Sequence, residues 1–448
     1  MRVVRLLSSA VSIAALFAFS GAALSQTRAL APTLDGASTP SQELDAKTIR
    51  TLVDTVSRQI EQLYVDADTA KLIAQVLRAS LAKGAYDHPY DGNRLAELMT
   101  ADLRSVNHDL HLGVRFVAPG SPGAARPGMP AFLGREQHYA LGRIDVLPGN
   151  IGYLELTGFA IDTVAQSAVV AALEYLKSTD AIIIDLRRNR GGSGELSNFL
   201  ISHFTGSDTI ASLKVTSRST DENFVRYTLA SVPGPRRPTV PLYLLTSRGT
   251  ASAGEDFAFV LQNLKRATIV GDRTAGAGHN VDAVTSGYGF TTSISVTRVS
   301  DPKTGKEWER VGVQPDVRVE PGTALDVAQI AALRTLESSA PAESRAHLAF
   351  LRDTREAILH RHDVASATLA KYAGEYDGDR VVRVANGRLL YVPALGALPD
   401  TLVSLSDSVY AASTQSRLTF VRSAQNVVEL HILTAEGIDV LVKRKSSR

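Results

Sequence analysis

Apolar side chains at Ile49, Leu52, Val53, Val56, Ile60 and Leu63 recur every three or four residues, which predicts an amphipathic helix starting near Ala46. A second such stretch runs from Thr69 to Leu81 and stops at Gly84 and the Asp87-His88-Pro89 turn. A third runs from Asn93 to Val106. Brief connections between them predict a small helical domain over residues 46–117. Residues 118–142 carry Pro119, Gly120, Pro122, Gly123, Pro127 and Pro130, which is linker composition and too short for an inserted peptide-binding module.

Near Arg143 the period changes. Strand-like runs at Ile151–Leu156, Ala181–Leu186, Val240–Thr246 and Ala267–Gly271 alternate with helical runs at Thr163–Leu176, Glu195–Phe204 and Ser252–Leu264. That alternation predicts an α/β layer domain over 143–323. Alternating β-branched residues over 286–299 predict a late hairpin on the same domain. Helical spacing returns from Ala324 to Ile358, within a connector spanning 324–364. The stretch 365–448 reads as a small all-β domain, where Asn386-Gly387 between two alternating runs is a strong hairpin signal.

Composition changes this picture little. The 44% apolar and 21% charged fractions are those of a globular chain, and 48 basic against 46 acidic side chains give no case for a nucleic-acid partner. The absence of cysteine excludes a thiol nucleophile, a thiolate metal site and disulfides. The N-terminus adds an address. Arg2 and Arg5 precede an apolar run from Ala10 to Ala23, and Ala23-Leu24-Ser25 supplies small residues for a signal peptidase. The expectation is a signal peptide at 1–25, cleaved after Ser25, then a flexible leader at 26–45. The mature protein is then periplasmic or secreted, with no membrane span.

Four motifs carry candidate chemistry. Ser252, in Thr250-Ala251-Ser252-Ala253-Gly254-Glu255, falls where a strand turns into a helix. Unpaired amides and the positive end of the helix dipole favour a developing oxyanion there. A serine in such a place is more commonly a helix cap, although Thr250 can fill that role. Asp185-Leu186-Arg187-Arg188-Asn189-Arg190-Gly191-Gly192 closes a buried strand, and its glycines allow close backbone approach. Asn107-His108-Asp109-Leu110-His111 offers a histidine base or a helix-end cap; with no zinc pattern nearby, a metal is not expected. Glu309, in Trp308-Glu309-Arg310-Val311-Gly312-Val313-Gln314-Pro315-Asp316, reads as a surface carboxylate or as an orienter of a histidine.

Taken together, in this order and spacing, the motifs resemble the C-terminal processing (tail-specific) peptidase and tricorn-protease superfamily. The similarity is to the branch without a PDZ module, which includes bacterial relatives of interphotoreceptor retinoid-binding protein, and it covers roughly residues 46–320. It implies a crotonase/ClpP-like β/α core and a serine peptidase acting on a peptide or protein without a cofactor. One branch uses a lysine 25 residues beyond the serine; here that position is Ala277, so a Ser–Lys dyad is not expected. The tricorn-like branch implies Ser252 as nucleophile, His111 as base and Glu309, 57 residues beyond the serine, as orienter. The serine that precedes the histidine in that branch is replaced by Leu110. Ala253 with Gly191 or Gly192 would form the oxyanion hole, and His279, near the empty lysine position, is the rival base. Two other readings stand beside the peptidase: a carrier of hydrophobic ligands on the same fold, and an esterase.

Overall fold

The computed structural model describes residues 44–87, 91–118, 134–161, 164–413, 415–422 and 428–445. The predicted signal peptide, nearly all of the leader and most of the linker lie outside the described residues.

Three helices open the described chain: α1 (Ala46–Leu63), α2 (Ala67–Ala82) and α3 (Gly92–Arg104). Each starts on an aspartate whose carboxylate accepts a backbone N–H three residues on, Asp45 from Thr48, Asp66 from Thr69 and Asp91 from Arg94. Their apolar faces do not close on themselves. Leu52, Val56, Leu77 and Met99 share one core with Phe290, Ile294 and Val296, which come from a long strand far along the chain. The helical region is therefore packed onto the sheet that follows.

Next come β1 (Gly113–Phe116), β2 (Leu141–Leu147), β3 (Ile151–Leu156), α4 (Val164–Tyr175), β4 (Ala181–Asp185) and α5 (Gly194–His203). They are followed by β5 (Ala211–Ser217), β6 (Glu222–Tyr227), β7 (Leu242–Thr246), α6 (Ala253–Asn263), β8 (Thr268–Gly271), β9 (Asn280–Gly287), β10 (Phe290–Ser300) and β11 (Val317–Arg318). The central sheet runs β11-β8-β7-β4-β3-β2, parallel except for β2 at its edge. Strands β4 and β7 are buried along their whole length, as parallel strands covered on both faces must be. The period of two is visible in the packing. Ile182, Ile184, Leu242 and Leu244 face α4, α5 and α6, while Ile183, Tyr243 and Leu245 face α7 (Ala324–Ser339).

A second, antiparallel sheet has the order β1-β10-β5-β6, with β9 also paired to β10. The hairpin expected over 286–299 exists and is longer, beginning at Asn280. The β5–β6 hairpin was not expected, because its strands lack a clean alternation. The helical connector is divided at Pro341 into α7 and α8 (Ala342–Leu359), since proline has no amide to continue a helix. After α9 (Ser366–Tyr372), the described strands between Gly374 and Lys443 form a four- and a five-stranded antiparallel sheet. Asn386 and Gly387, both at positive φ, turn the hairpin that joins Ala385 to Arg388.

Phe290 is fully buried where β10 meets the helices and lies 4.9 Å, ring to ring, from Phe116. Phe290→Ala should lower unfolding stability by about 3–5 kcal/mol, read from urea unfolding; a loss below 1 kcal/mol would show that the two layers are not one core.

Candidate active site

The carboxyl ends of β4, β7 and β8 point to one edge of the central sheet, and the loops leaving them carry the candidate chemistry. The loop after β7 is latched to the loop after β4. Thr250 donates its hydroxyl to the Leu186 carbonyl at 2.8 Å, and Ser247 donates to the Arg187 carbonyl at 2.6 Å. The chain then turns sharply into α6 at Ser252, which sits at φ 52°, ψ −120°. A β-carbon is strained there, and strain of this kind persists only where surrounding structure enforces it. A strained strand-to-helix turn is also how α/β hydrolases lift a serine out of the sheet edge.

The enforcing group is Glu255, fully buried one turn into α6. Its Oε2 accepts the amides of Ser252 at 2.9 Å and Ala277 at 2.8 Å. Its Oε1 accepts the Gly276 amide at 2.7 Å and the Thr274 hydroxyl at 2.5 Å. Burial pushes this carboxyl above its ordinary range, against the pull of those donors. One carboxylate thus fixes the turn at Ser252 to the segment 274–277, which includes the buried Ala277.

Gly191 presses against the serine. A β-carbon on it would stand 2.7 Å from the Ser252 β-carbon. Its amide donates to Asn189 Oδ1 at 2.9 Å. At Gly192, with φ 129°, a β-carbon would stand 1.9 Å from the Phe159 carbonyl oxygen. Among the described residues the amides of Gly192 and Ala253 have no acceptor, the latter because it opens a helix. Of the two glycines expected to supply an oxyanion donor, Gly191 has its N–H already engaged and Gly192 does not.

The histidines meet around Asp109. This residue is fully buried just beyond α3. Its Oδ2 accepts Nδ1 of His279 and the Tyr64 hydroxyl, both at 3.0 Å, and its Oδ1 accepts the His111 amide at 2.9 Å. Burial alone would raise the Asp109 carboxyl; the hydrogen bond and charge of His279 outweigh it and hold the group well below the ordinary carboxylate range. Glu309 accepts the amides of Gly278 at 2.6 Å and His279 at 3.2 Å, with its Oε2 3.8 Å from His279 Nδ1. Burial raises its carboxyl, the charge of His279 opposes this, and Asp109 adds to the rise.

The expected pairing of His111 with Glu309 is not what the structure brings together. Among the described residues Glu309 forms its only ion pair with His279, and the buried Nδ1 of His111 has no partner. The reason is chain geometry: Glu309 holds the backbone on either side of the Gly278–His279 peptide, and His279 lies between it and Asp109. Burial holds the His111 pKa down to about 4, against the pull of Asp109. Neither imidazole hydrogen-bonds Ser252. Asp109 and Glu255 stood inside motifs already singled out but were given no role. The signals were a carboxylate two residues before His111 and one three residues after Ser252, the spacing of a capping box.

A serine on a strained turn, free amides beside it and a carboxylate-held imidazole nearby are the parts of a serine-hydrolase site. Residues 150–319 match the family model described as Peptidase family S41. Residues 45–136 match the model described as the N-terminal domain of Peptidase_S41 in eukaryotic IRBP. Among curated relatives, a carboxyl-terminal-processing protease of Synechocystis sp. is 31% identical over 181 residues, covering 39% of this chain and 40% of the relative. The chloroplastic C-terminal processing peptidase of Tetradesmus obliquus is 30% identical over 175 residues, covering 38% and 35%. The matched region thus spans less than half the length of these relatives. Among solved structures, a lipoprotein from Streptococcus agalactiae aligns over 64% of this chain and 96% of its own, at 16% identity and a TM-score of 0.46.

The low His111 pKa has a thermodynamic consequence. The unfolded imidazole takes a proton below about pH 6.5, and the folded one takes it only near pH 4, so stability falls as pH falls through that window. His111→Gln should remove up to one proton, about 1.4 kcal/mol per pH unit, from the slope of unfolding free energy between pH 4 and 6.5. Identical slopes in variant and parent would contradict the burial of a neutral ring.

Proposed function

We propose that this chain is an exported serine peptidase with a crotonase-like core, cleaved from its signal peptide after Ser25, in which Ser252 is the nucleophile. The observation that carries the reading is Ser252 itself, strained at a helix start with free amides beside it.

In this mechanism Ser252 Oγ attacks the scissile carbonyl carbon and its proton passes to Nε2 of His279. Asp109 holds the Nδ1–H of that ring, fixing the tautomer that leaves Nε2 able to accept, and it stabilises the imidazolium that forms. The amides of Ala253 and Gly192 receive the oxyanion; losing one such donor typically costs roughly 3 kcal/mol of transition-state stabilisation. The imidazolium then protonates the departing amine; a water attacks the acyl carbon as it gives a proton to the same ring, and the imidazolium returns that proton to the departing Ser252 Oγ. Glu309 and Glu255 hold the backbone that positions His279 and Ser252. The names of the curated relatives, carboxyl-terminal-processing proteases, support a protein substrate cut near its C-terminus.

A second reading keeps His111 as the base. It is favoured by the family position of His111 and by the low pKa of a ring that is neutral at pH 7. The two readings differ in an acylation assay with a fluorophosphonate probe, which labels an activated serine. The parent should react and Ser252→Ala should not. His279→Ala should react roughly 10²–10⁴ times more slowly, while His111→Ala keeps most of the rate. The opposite order would make His111 the base. No labelling of a folded parent would support a non-catalytic carrier instead.

A further inference from the structure

We infer that Asp109, His279 and Glu309 form a site for one divalent cation of the zinc class, whose occupancy switches the imidazole off as a base. One ligand atom from each of the three lies within 4.8 Å of the others, and all three residues are buried. Tetrahedral zinc with ligands at 2.0–2.1 Å needs them about 3.4 Å apart. The Nδ1 of His279 stands 3.0 Å from Asp109 Oδ2 and 3.8 Å from Glu309 Oε2, on either side of that value.

Two further observations point to a cation. Glu309 is only 8% exposed, and its Oε1 is buried with no hydrogen-bond partner. An orphaned carboxylate oxygen in such a place is costly unless something positive meets it. The cluster also places two carboxylates in the interior with one imidazole between them, and among the described residues no lysine or arginine pairs with either. A divalent ion balances both charges. The carboxylates are already oriented by other bonds: Asp109 by Tyr64 and the His111 amide, and Glu309 by the amides of Gly278 and His279. Outer contacts of this kind are what a metal site uses to fix its ligands.

The consequence for activity rests on the reading of His279 as base. A cation on Nδ1 displaces the hydrogen bond to Asp109, and the proton of the neutral ring then resides on Nε2. That nitrogen has no lone pair left for the serine proton, so acylation stops until the metal leaves.

The test uses the full mature chain, stripped with a chelator and titrated with Zn2+ by equilibrium dialysis, with Co2+ absorption bands reporting the coordination. One Zn2+ per chain is expected. Glu309→Gln and His279→Gln should each weaken binding at least tenfold with unchanged circular dichroism. His362→Ala, which removes an exposed His–Asp pair elsewhere, should leave binding as it is. Failure of the parent to bind Zn2+, or equal binding by Glu309→Gln, would overturn the site. Zn2+ bound with fluorophosphonate labelling undiminished would instead keep the site and overturn His279 as base.

Discussion

The hydrogen bond between Asp109 and His279 joins two parts of the chain that fold on different logic. Asp109 ends the helical region, where aspartate caps and three-four spacing decide the structure. His279 leaves the edge of a parallel sheet. A carboxylate with no exposure is tolerable only because Tyr64, the His111 amide and His279 all donate to it. Without it, three donors are orphaned and the imidazole loses its tautomer. The shared core of α1–α3 with Phe290, Ile294 and Val296 brings these groups into register from the other side.

Glu255 does the complementary work at Ser252. The turn at Ser252 costs on the order of 1–3 kcal/mol of backbone strain, and Glu255 offsets it by accepting the serine amide and three further donors. Those donors all belong to the segment 274–277, which continues directly into His279. Serine and histidine are therefore positioned through a single buried carboxylate rather than through a mutual contact. Ala277 in this segment cannot ionise, and the imidazole of His279 follows two residues on.

Much of this was legible beforehand. The switch from helical period to strand–helix alternation located the parallel sheet, and Asn386-Gly387 located a hairpin of the separate C-terminal four-stranded sheet. The place of Ser252 at the turn from a buried strand into a helix was legible in the same way. The histidine's partner was not, because that depends on which of two imidazoles lies between Asp109 and Glu309. Those two positions are 200 residues apart in sequence, and no local spacing encodes the contact. The same separation hid the cation-sized cluster, since ligand spacing within the Asn107–His111 motif alone shows no zinc pattern. The β5–β6 hairpin was missed for a simpler reason: β6 is an edge strand whose side chains are largely exposed, so it carries little apolar alternation.

The most direct measurement is the rate of serine acylation in Asp109→Asn, with folding verified by circular dichroism. The variant keeps the shape of the side chain but reverses part of its hydrogen-bonding character, so it should favour the wrong tautomer of His279. Acylation should slow by roughly 10³–10⁴-fold in a folded protein. A folded variant that acylates at the parent rate would show that the Asp109–His279 pair does not set the base, and the mechanism built on it would be wrong.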